Sequence, residues 1–240
     1  MDHEFPMTTK PHIVALLPMK ANSERVQGKN FRNFCGKPLF RWILDTLLAV
    51  DEIDRIIINT DARQILANNG LSDGSRITIR DRRPEICGDF VSMNLVLADD
   101  VANIPADIYL MTHTTNPLLS ADTIRGAIKA FEEARAAGTA DSLFTVDRIQ
   151  TRFYRADCTP VNHDPDNLIR TQDLEPWFEE NSNLYLFTGE SFARTSARIG
   201  RKPMMYEGSR FESIDIDDQQ DWDFAVIAAR YHSEMKGITQ

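Results

Sequence analysis

The chain is poor in cysteine, has no long apolar run and carries a deficit of positive charge. Its three cysteines, Cys35, Cys87 and Cys158, stand at spacings that fit neither a zinc site nor a disulfide framework, so a reducing cytoplasmic setting is the simplest expectation. No Cys-His signature accompanies them, and they read as incidental thiols rather than nucleophiles. No apolar stretch approaches the ~20 residues that a membrane span needs. The opening MDHEFPMTTKPH lacks the charged-then-apolar pattern of an export signal, so neither membrane nor export is expected. A net charge of -9 argues against non-specific nucleic-acid binding. Repeats and low-complexity tracts are also missing, and 240 residues of ordinary composition suit one large α/β domain or one domain with a modest appendage.

Against this acidic background the stretch Ile13 to Asn30, IVALLPMKANSERVQGKN, stands apart. Ile13 to Leu17 form a short β-branched and Leu run, expected to be a strand buried on both faces. Pro18 stops it, and a polar loop follows with Lys20, Arg25 and Lys29 among Asn22, Ser23, Gly28 and Asn30. In α/β proteins ligands collect at the carboxyl edge of the sheet, where such a loop presents cations and backbone N–H groups to phosphate. A polyphosphate-binding loop is therefore expected, although it matches neither the G-x-G-x-x-G nor the Walker pattern. An ordinary solvated loop is the bland alternative.

Along the rest of the chain strand and helix alternate. Residues 1–10 read as a flexible tail. Helices are expected over Gly36–Val50, Ala62–Asn69, Val91–Val101 with Asp89 as its cap, Ser120–Ala137 and Asp221–Tyr231, and strands over Arg55–Asp61, Ile77–Ile79, Asp107–Met111, Ser142–Val146, Asn183–Phe187 and Phe211–Asp217. The alternation argues for right-handed βαβ units and a mainly parallel sheet. It fails between Gln150 and Asn181, a Pro-, Asp-, Asn- and Arg-rich stretch carrying Phe153, Tyr154 and Trp177. Either an inserted element that packs on a second subunit or a loop folded over the active site suits that composition.

The second informative segment is ESIDIDD, Glu212 to Asp218. In a strand, Asp215 and Asp217 share one face, and two like charges so placed need compensation. A hard divalent cation such as Mg²⁺ supplies it, since it binds one or two carboxylates together with substrate phosphates. A solvated edge-strand face is the alternative for the pair alone.

PMKANSERVQGKN followed by GKPL, then RIIINTD, RRPEICGD, THTTNPLL, ENSNLYLF and ESIDIDDQQD resembles, in order and spacing, the N-acylneuraminate cytidylyltransferase family, the CMP-sialic acid synthetases. The resemblance implies an α/β, Rossmann-like nucleotidyltransferase fold over 11–149 and 182–240, with 150–181 as an inserted dimerisation or active-site element. It implies transfer of CMP from CTP to the anomeric hydroxyl of a sialic-acid-like α-keto acid sugar, with release of pyrophosphate, Mg²⁺ as cofactor and a homodimer as the assembly. By position, Lys20, Arg25, Lys29 and Asn30 fall on the triphosphate loop, with Asn22 and Ser23 on the family's N-S pair. Arg83 and Ser92 fall near the nucleotide, Asn181 near the sugar, and Asp215 and Asp217 on the metal-binding aspartates.

Some positions depart from the family pattern. Lys20 stands where an arginine is usual, which keeps the charge but loses the bidentate fork. His113 replaces a glutamine, at the position that the resemblance gives to the cytosine contact, and Leu119 an arginine of the L-Q-P-T-S-P-L-R segment. Glu179 falls where some members direct an arginine at the sugar carboxylate, and Arg170 is the cation available to replace it, by way of a dimer or otherwise. The general base stays open between a metal-bound water and an aspartate. A catalytically inactive sugar-nucleotide-binding protein and a cytidylyltransferase for Kdo are the alternative readings.

Overall fold

A computed structural model describes residues 10–23 and 25–238 of the chain. The tail expected over 1–10 lies outside them except for Lys10. In chain order the elements are β1 (Ile13–Leu16), β2 (Asn33–Phe34), β3 (Lys37–Pro38), α1 (Leu39–Leu48), β4 (Arg55–Thr60), α2 (Arg63–Asn68), β5 (Ile77–Asp81), α3 (Met93–Asn103), β6 (Ile108–Met111), α4 (Ala121–Ala136), β7 (Ser142–Ile149), β8 (Trp177–Phe187), α5 (Gly189–Thr195), β9 (Pro203–Glu207) and α6 (Gln219–Ile238). The main sheet runs β5-β4-β1-β6-β8-β7-β9. β5, β4, β1 and β6 pair in parallel, β8 runs against both β6 and β7, and β9 is parallel to β7. The fold is thus α/β with a mainly parallel sheet, as the alternation predicted.

The central strands are apolar throughout because helices cover both faces. On one face Ile13, Ala15, Ile56, Ile58, Ile108 and Leu110 pack on α1 and α4 through Phe40, Ile43, Leu44, Leu47, Ile124 and Phe131. On the other, Val14, Leu16, Ile57, Tyr109 and Met111 meet Leu97 of α3 and Phe192 of α5. A third cluster joins Val26, Phe34 and Leu39 to Trp222, Ala225 and Ala229 of α6, so the first loop is clamped against the last helix. Among the described residues no helix is long and apolar enough to cross a membrane.

Several local expectations are corrected. Residues 211–217 are not a strand but a turn, closed by Glu212 N donating to Ser209 O at 2.8 Å, followed by an irregular segment tied by Ile216 N donating to Thr115 O at 2.9 Å. The edge strand beside β7 is instead β9, which had no period-2 polar pattern strong enough to stand out. Helix α1 begins at Leu39 rather than Gly36, since Cys35 and Gly36 both adopt positive φ in the tight turn between β2 and β3. The cap of α3 is Ser92, whose hydroxyl accepts from Asn94 N, and not Asp89. β8 starts at Trp177, so the irregular stretch is shorter than 150–181 and the ladder takes its last residues.

Candidate active site

The loops at the carboxyl ends of β1, β5, β6 and β9 meet at one edge of the sheet. Leaving β1, the chain turns at Gly28 (φ 60) into a short 3-10 turn, Lys29–Phe31. Positive φ is what glycine tolerates best, so the turn that aims Lys29 inward depends on it. Lys29 is buried, donates to Ile216 O, and lies 3.9 Å from Asp217 Oδ1. Arg25 Nη2 donates to the same carboxylate oxygen at 2.9 Å. Lys20 forms an ion pair with Asp89. Asn30, expected on the triphosphate, is buried with both ends of its amide engaged. It donates to Lys20 O at 2.8 Å and accepts from Thr114 Oγ1 at 2.7 Å, which ties the loop together. Asn22 is exposed and Ser23 half-buried on the same loop.

The carboxylates are delivered by the start of α6. Asp218 Oδ1 accepts from Gln220 N and Asp221 N, and Asp221 Oδ2 accepts from Asp217 N and Asp218 N, a reciprocal cap that fixes the backbone beside Asp217. Asp215 sits deeper, and its Oδ1 is buried without a hydrogen-bond partner. Burial raises its pKa above the usual carboxylate range; the neighbouring Asp217 adds to this, while the Thr115 side chain and Lys29 oppose it. Burial likewise lowers the pKa of Lys29 from its ordinary value, against the pull of Asp217 and Asp215. A carboxylate left short of a partner, next to a second one that cations hold in place, is a donor set suited to a hard cation. Among the described residues no cluster of three or more His, Cys, Asp or Glu side chains forms a metal cage, so substrate oxygens must complete such a site.

The segment after β6 is the floor. Thr112 Oγ1 donates to Asn183 O at 2.7 Å, Thr114 holds Asn30, Thr115 O holds Ile216 N, and His113 Nε2 lies 3.5 Å from Arg198 Nη1. Desolvation, with Arg198 and then Lys29 opposing a further positive charge, pushes the His113 pKa down to about 3. Asn181 Nδ2 donates to Asp147 Oδ1 at 3.3 Å. Arg83 ion-pairs with the buried Asp99 at 2.9 Å and is largely exposed. The Ser92 hydroxyl acts as the α3 cap. Arg170 is exposed on the segment between β7 and β8 and is gripped by Asp173 through two hydrogen bonds, at 2.7 and 2.9 Å. The structure thus brings Lys20, Arg25, Lys29, Asn30, Asp215, Asp217 and His113 together, and leaves Arg170 paired within its own turn.

Two arginines had no role in the sequence reading. Arg82 Nε donates to Asn59 Oδ1, and its Nη2 to Asn59 O and Met19 O, so it braces the root of the first loop. Its position in a run of three arginines was the available signal. Arg198 gave no signal, because its partners come from β6 and β8 and not from its own neighbourhood in sequence.

A basic loop converging on paired carboxylates at the carboxyl edge of an open α/β sheet defines a Rossmann-like nucleotidyltransferase. The chain belongs to the cytidylyltransferase family, whose profile matches residues 14–231. It is 26% identical over 226 residues to the CMP-N,N'-diacetyllegionaminic acid synthase of Legionella pneumophila, covering 88% of this chain and 93% of that one. The N-acylneuraminate cytidylyltransferase of Oncorhynchus mykiss is 26% identical over 90% of this chain, which spans about half (50%) of the fish enzyme. Among solved structures, a CMP:2-keto-3-deoxy-manno-octonic acid synthetase complexed with CTP superposes with a TM-score of 0.64 at 13% identity, covering 93% of this chain and 99% of that one. The 4-diphosphocytidyl-2C-methyl-D-erythritol synthase of Anaerococcus prevotii gives 0.62 at 15% identity, covering 92% of this chain and 100% of its own. At these identities the structural likenesses show the fold.

Proposed function

We propose that this cytidylyltransferase transfers CMP from CTP to the anomeric hydroxyl of a sialic-acid-like α-keto acid sugar and releases pyrophosphate. The observation that carries the reading is the convergence of Arg25 and Lys29 on Asp217, beside Asp215 with its unpartnered buried oxygen. Without ligand these groups neutralise one another. With CTP, Arg25 and Lys29 turn to the β- and γ-phosphates, and Asp215 and Asp217, released from them, would hold Mg²⁺, which would supply charge neutralisation at the phosphates. Lys20 extends the cationic wall, and Asn30, Thr114 and Arg82 keep the loop at its working height. A small cleft of about 150 Å³ between Pro18, Lys20, Ile86, Gly88 and Val96, with Arg82 and Asp89 also on its wall, is suited to the base.

The sugar lies on the β8 side, reached by Asn181 and His113. The exposed Leu168, Ile169, Trp177 and Phe178 at the 150–181 element support a homodimer formed through it. The free cysteines Cys35, Cys87 and Cys158 fit a reducing cytoplasm. The test is pyrophosphate release by the purified protein with Mg²⁺, crossing the four nucleoside triphosphates against sialic, legionaminic and pseudaminic acids and Kdo. Release with CTP and a nine-carbon acid is expected. CTP binding without release in any pair would leave a sugar-nucleotide-binding protein.

A further inference from the structure

The β8 side of the cleft contains a cation that the transfer chemistry does not use. Arg198 leaves the turn after α5, and its guanidinium lies over the Tyr185 ring at 3.8 Å from the centroid. Its Nη1 is 3.5 Å from His113 Nε2 and 3.9 Å from Met111 Sδ, and its Nη2 is 3.4 Å from Glu180 Oε1. Hydrogen bonds between charged groups run to about 2.7–2.9 Å. The fork is therefore positioned by an aromatic platform and only loosely held by its polar neighbours. Glu180 Oε1 takes its short hydrogen bond from Tyr185 OH instead. Since a guanidinium only donates, His113 Nε2 must be the acceptor, so the imidazole is neutral with its proton on Nδ1.

The backbone under this group is specially shaped. Between Phe144 and Val146 the β7–β8 register shifts, and Ser182 adopts φ 57. A non-glycine residue in that conformation is strained, and bulges of this kind persist where they aim side chains. Here the bulge lies between Glu180 and Tyr185, the two residues that border the guanidinium. Arg210 is the rival cation on this side. It lines a cavity of about 360 Å³ together with Asp147, Glu179, Asp215 and Asp221, whose carboxylates disfavour a second anion there.

Resting on the transferase reading above, we propose that Arg198, stacked on Tyr185 and flanked by neutral His113, anchors the carboxylate of the acceptor sugar and so selects keto acids over neutral sugars. The carboxylate replaces the long Glu180 contact with a bidentate pair, a geometry that lysine does not reproduce. Arg198 is a specificity-determining residue in this role; it neither moves a proton nor touches the phosphates.

The test is calorimetric titration of the full chain with N-acetylneuraminic acid, N,N'-diacetyllegionaminic acid and Kdo, each beside its methyl ester, in wild type, Arg198→Met, Arg198→Lys and Arg210→Met. Wild type is expected to prefer at least one acid over its ester by about 10–100-fold, the range of a charged hydrogen-bonded pair. Arg198→Met should bind acid and ester alike with unchanged CTP affinity, Arg198→Lys should recover part of the preference, and Arg210→Met should keep it. A preference that survives in Arg198→Met or vanishes in Arg210→Met overturns the assignment. So does parallel loss of CTP binding in Arg198→Met, or a wild type indifferent to the carboxylate. Pyrophosphate release, measured on the same samples, reports separately on the transferase reading: an Arg198-dependent acid preference without release sinks that reading and leaves the anchor standing.

Discussion

The two halves of the sheet meet where Met111 of β6 pairs with Tyr185 of β8, and they present chemistry in different ways. On the parallel side, buried strands end and hand over to loops, and it is the loops that carry Lys20, Arg25, Lys29, Arg83 and the 112–116 floor. On the other side β8 runs in the opposite sense, so its amino end reaches the same edge and offers its own side chains, Glu180, Asn181 and Tyr185. Loops that present N–H groups and cations suit a phosphate chain. A bulged strand gives a fixed surface, which suits discrimination among sugars of similar shape. On the reading proposed above, the phosphate chemistry falls to one half and acceptor selectivity to the other, with Asp215 and Asp217 between them on the segment that leaves β9.

The widest separation should come from the carboxylates. Asp217→Ala is expected to lower kcat by about 10³-fold at saturating Mg²⁺, because the phosphate oxygens lose the group that holds their counter-charge. Near-normal turnover would remove the metal assignment and with it the shared centre of the two halves. Lys29→Met comes next. Loss of one buried charged donor corresponds to about 10–100-fold in CTP affinity, with the acceptor KM little changed. An equal loss for both substrates, read in initial-rate kinetics, would mean that the loop serves both halves.

The parallel half was also the legible half. Short apolar runs bounded by Pro, Gly and Asp mark buried strands, and the order of β1, β4 and β6 with their helices follows from that pattern alone. The Asp215 and Asp217 pair was singled out on a premise that does not hold, since the segment is irregular and not a strand. Its two aspartates nevertheless reach the site because the Asp218–Asp221 cap and the Ile216–Thr115 hydrogen bond fix that path. Arg198, Tyr185 and Glu180 were not legible. Their association depends on strand pairing and a bulge, contacts between residues far apart in sequence that leave no local period.

The seam itself can be probed by pH. His113 has a pKa pushed down to about 3 in the fold against an ordinary value of 6.5, so the fold favours its neutral form. Its stabilising contribution is complete above about 6.5 and is lost as pH falls toward 3. Asp100, raised by burial to about 6, works in the opposite sense: its contribution is complete below about 4 and is lost as pH rises through 6. The total curve in this window therefore hides both. The difference between wild type and His113→Gln isolates the histidine, and is expected to shrink by about 3 kcal/mol between pH 7 and pH 4 in urea unfolding. A pH-independent difference would mean that the fold does not disfavour the imidazolium, and would remove the desolvated setting assigned to His113 beside Arg198.

The smallest effect is expected at Arg170, the cation that sequence position offers for the sugar carboxylate. In the structure its guanidinium faces Asp173 three residues on and is exposed, with both contacts inside one turn. Exposed pairs of that kind contribute about 0–1 kcal/mol. Arg170→Ala should therefore leave the acceptor KM and the acid-over-ester preference within about twofold. A large rise in acceptor KM at low protein concentration, relieved as concentration increases, would show instead that the 150–181 element of one subunit completes the site of another. The carboxylate anchor would then be shared between Arg198 and the partner, and the division of labour between the two halves of the sheet would hold only within the dimer.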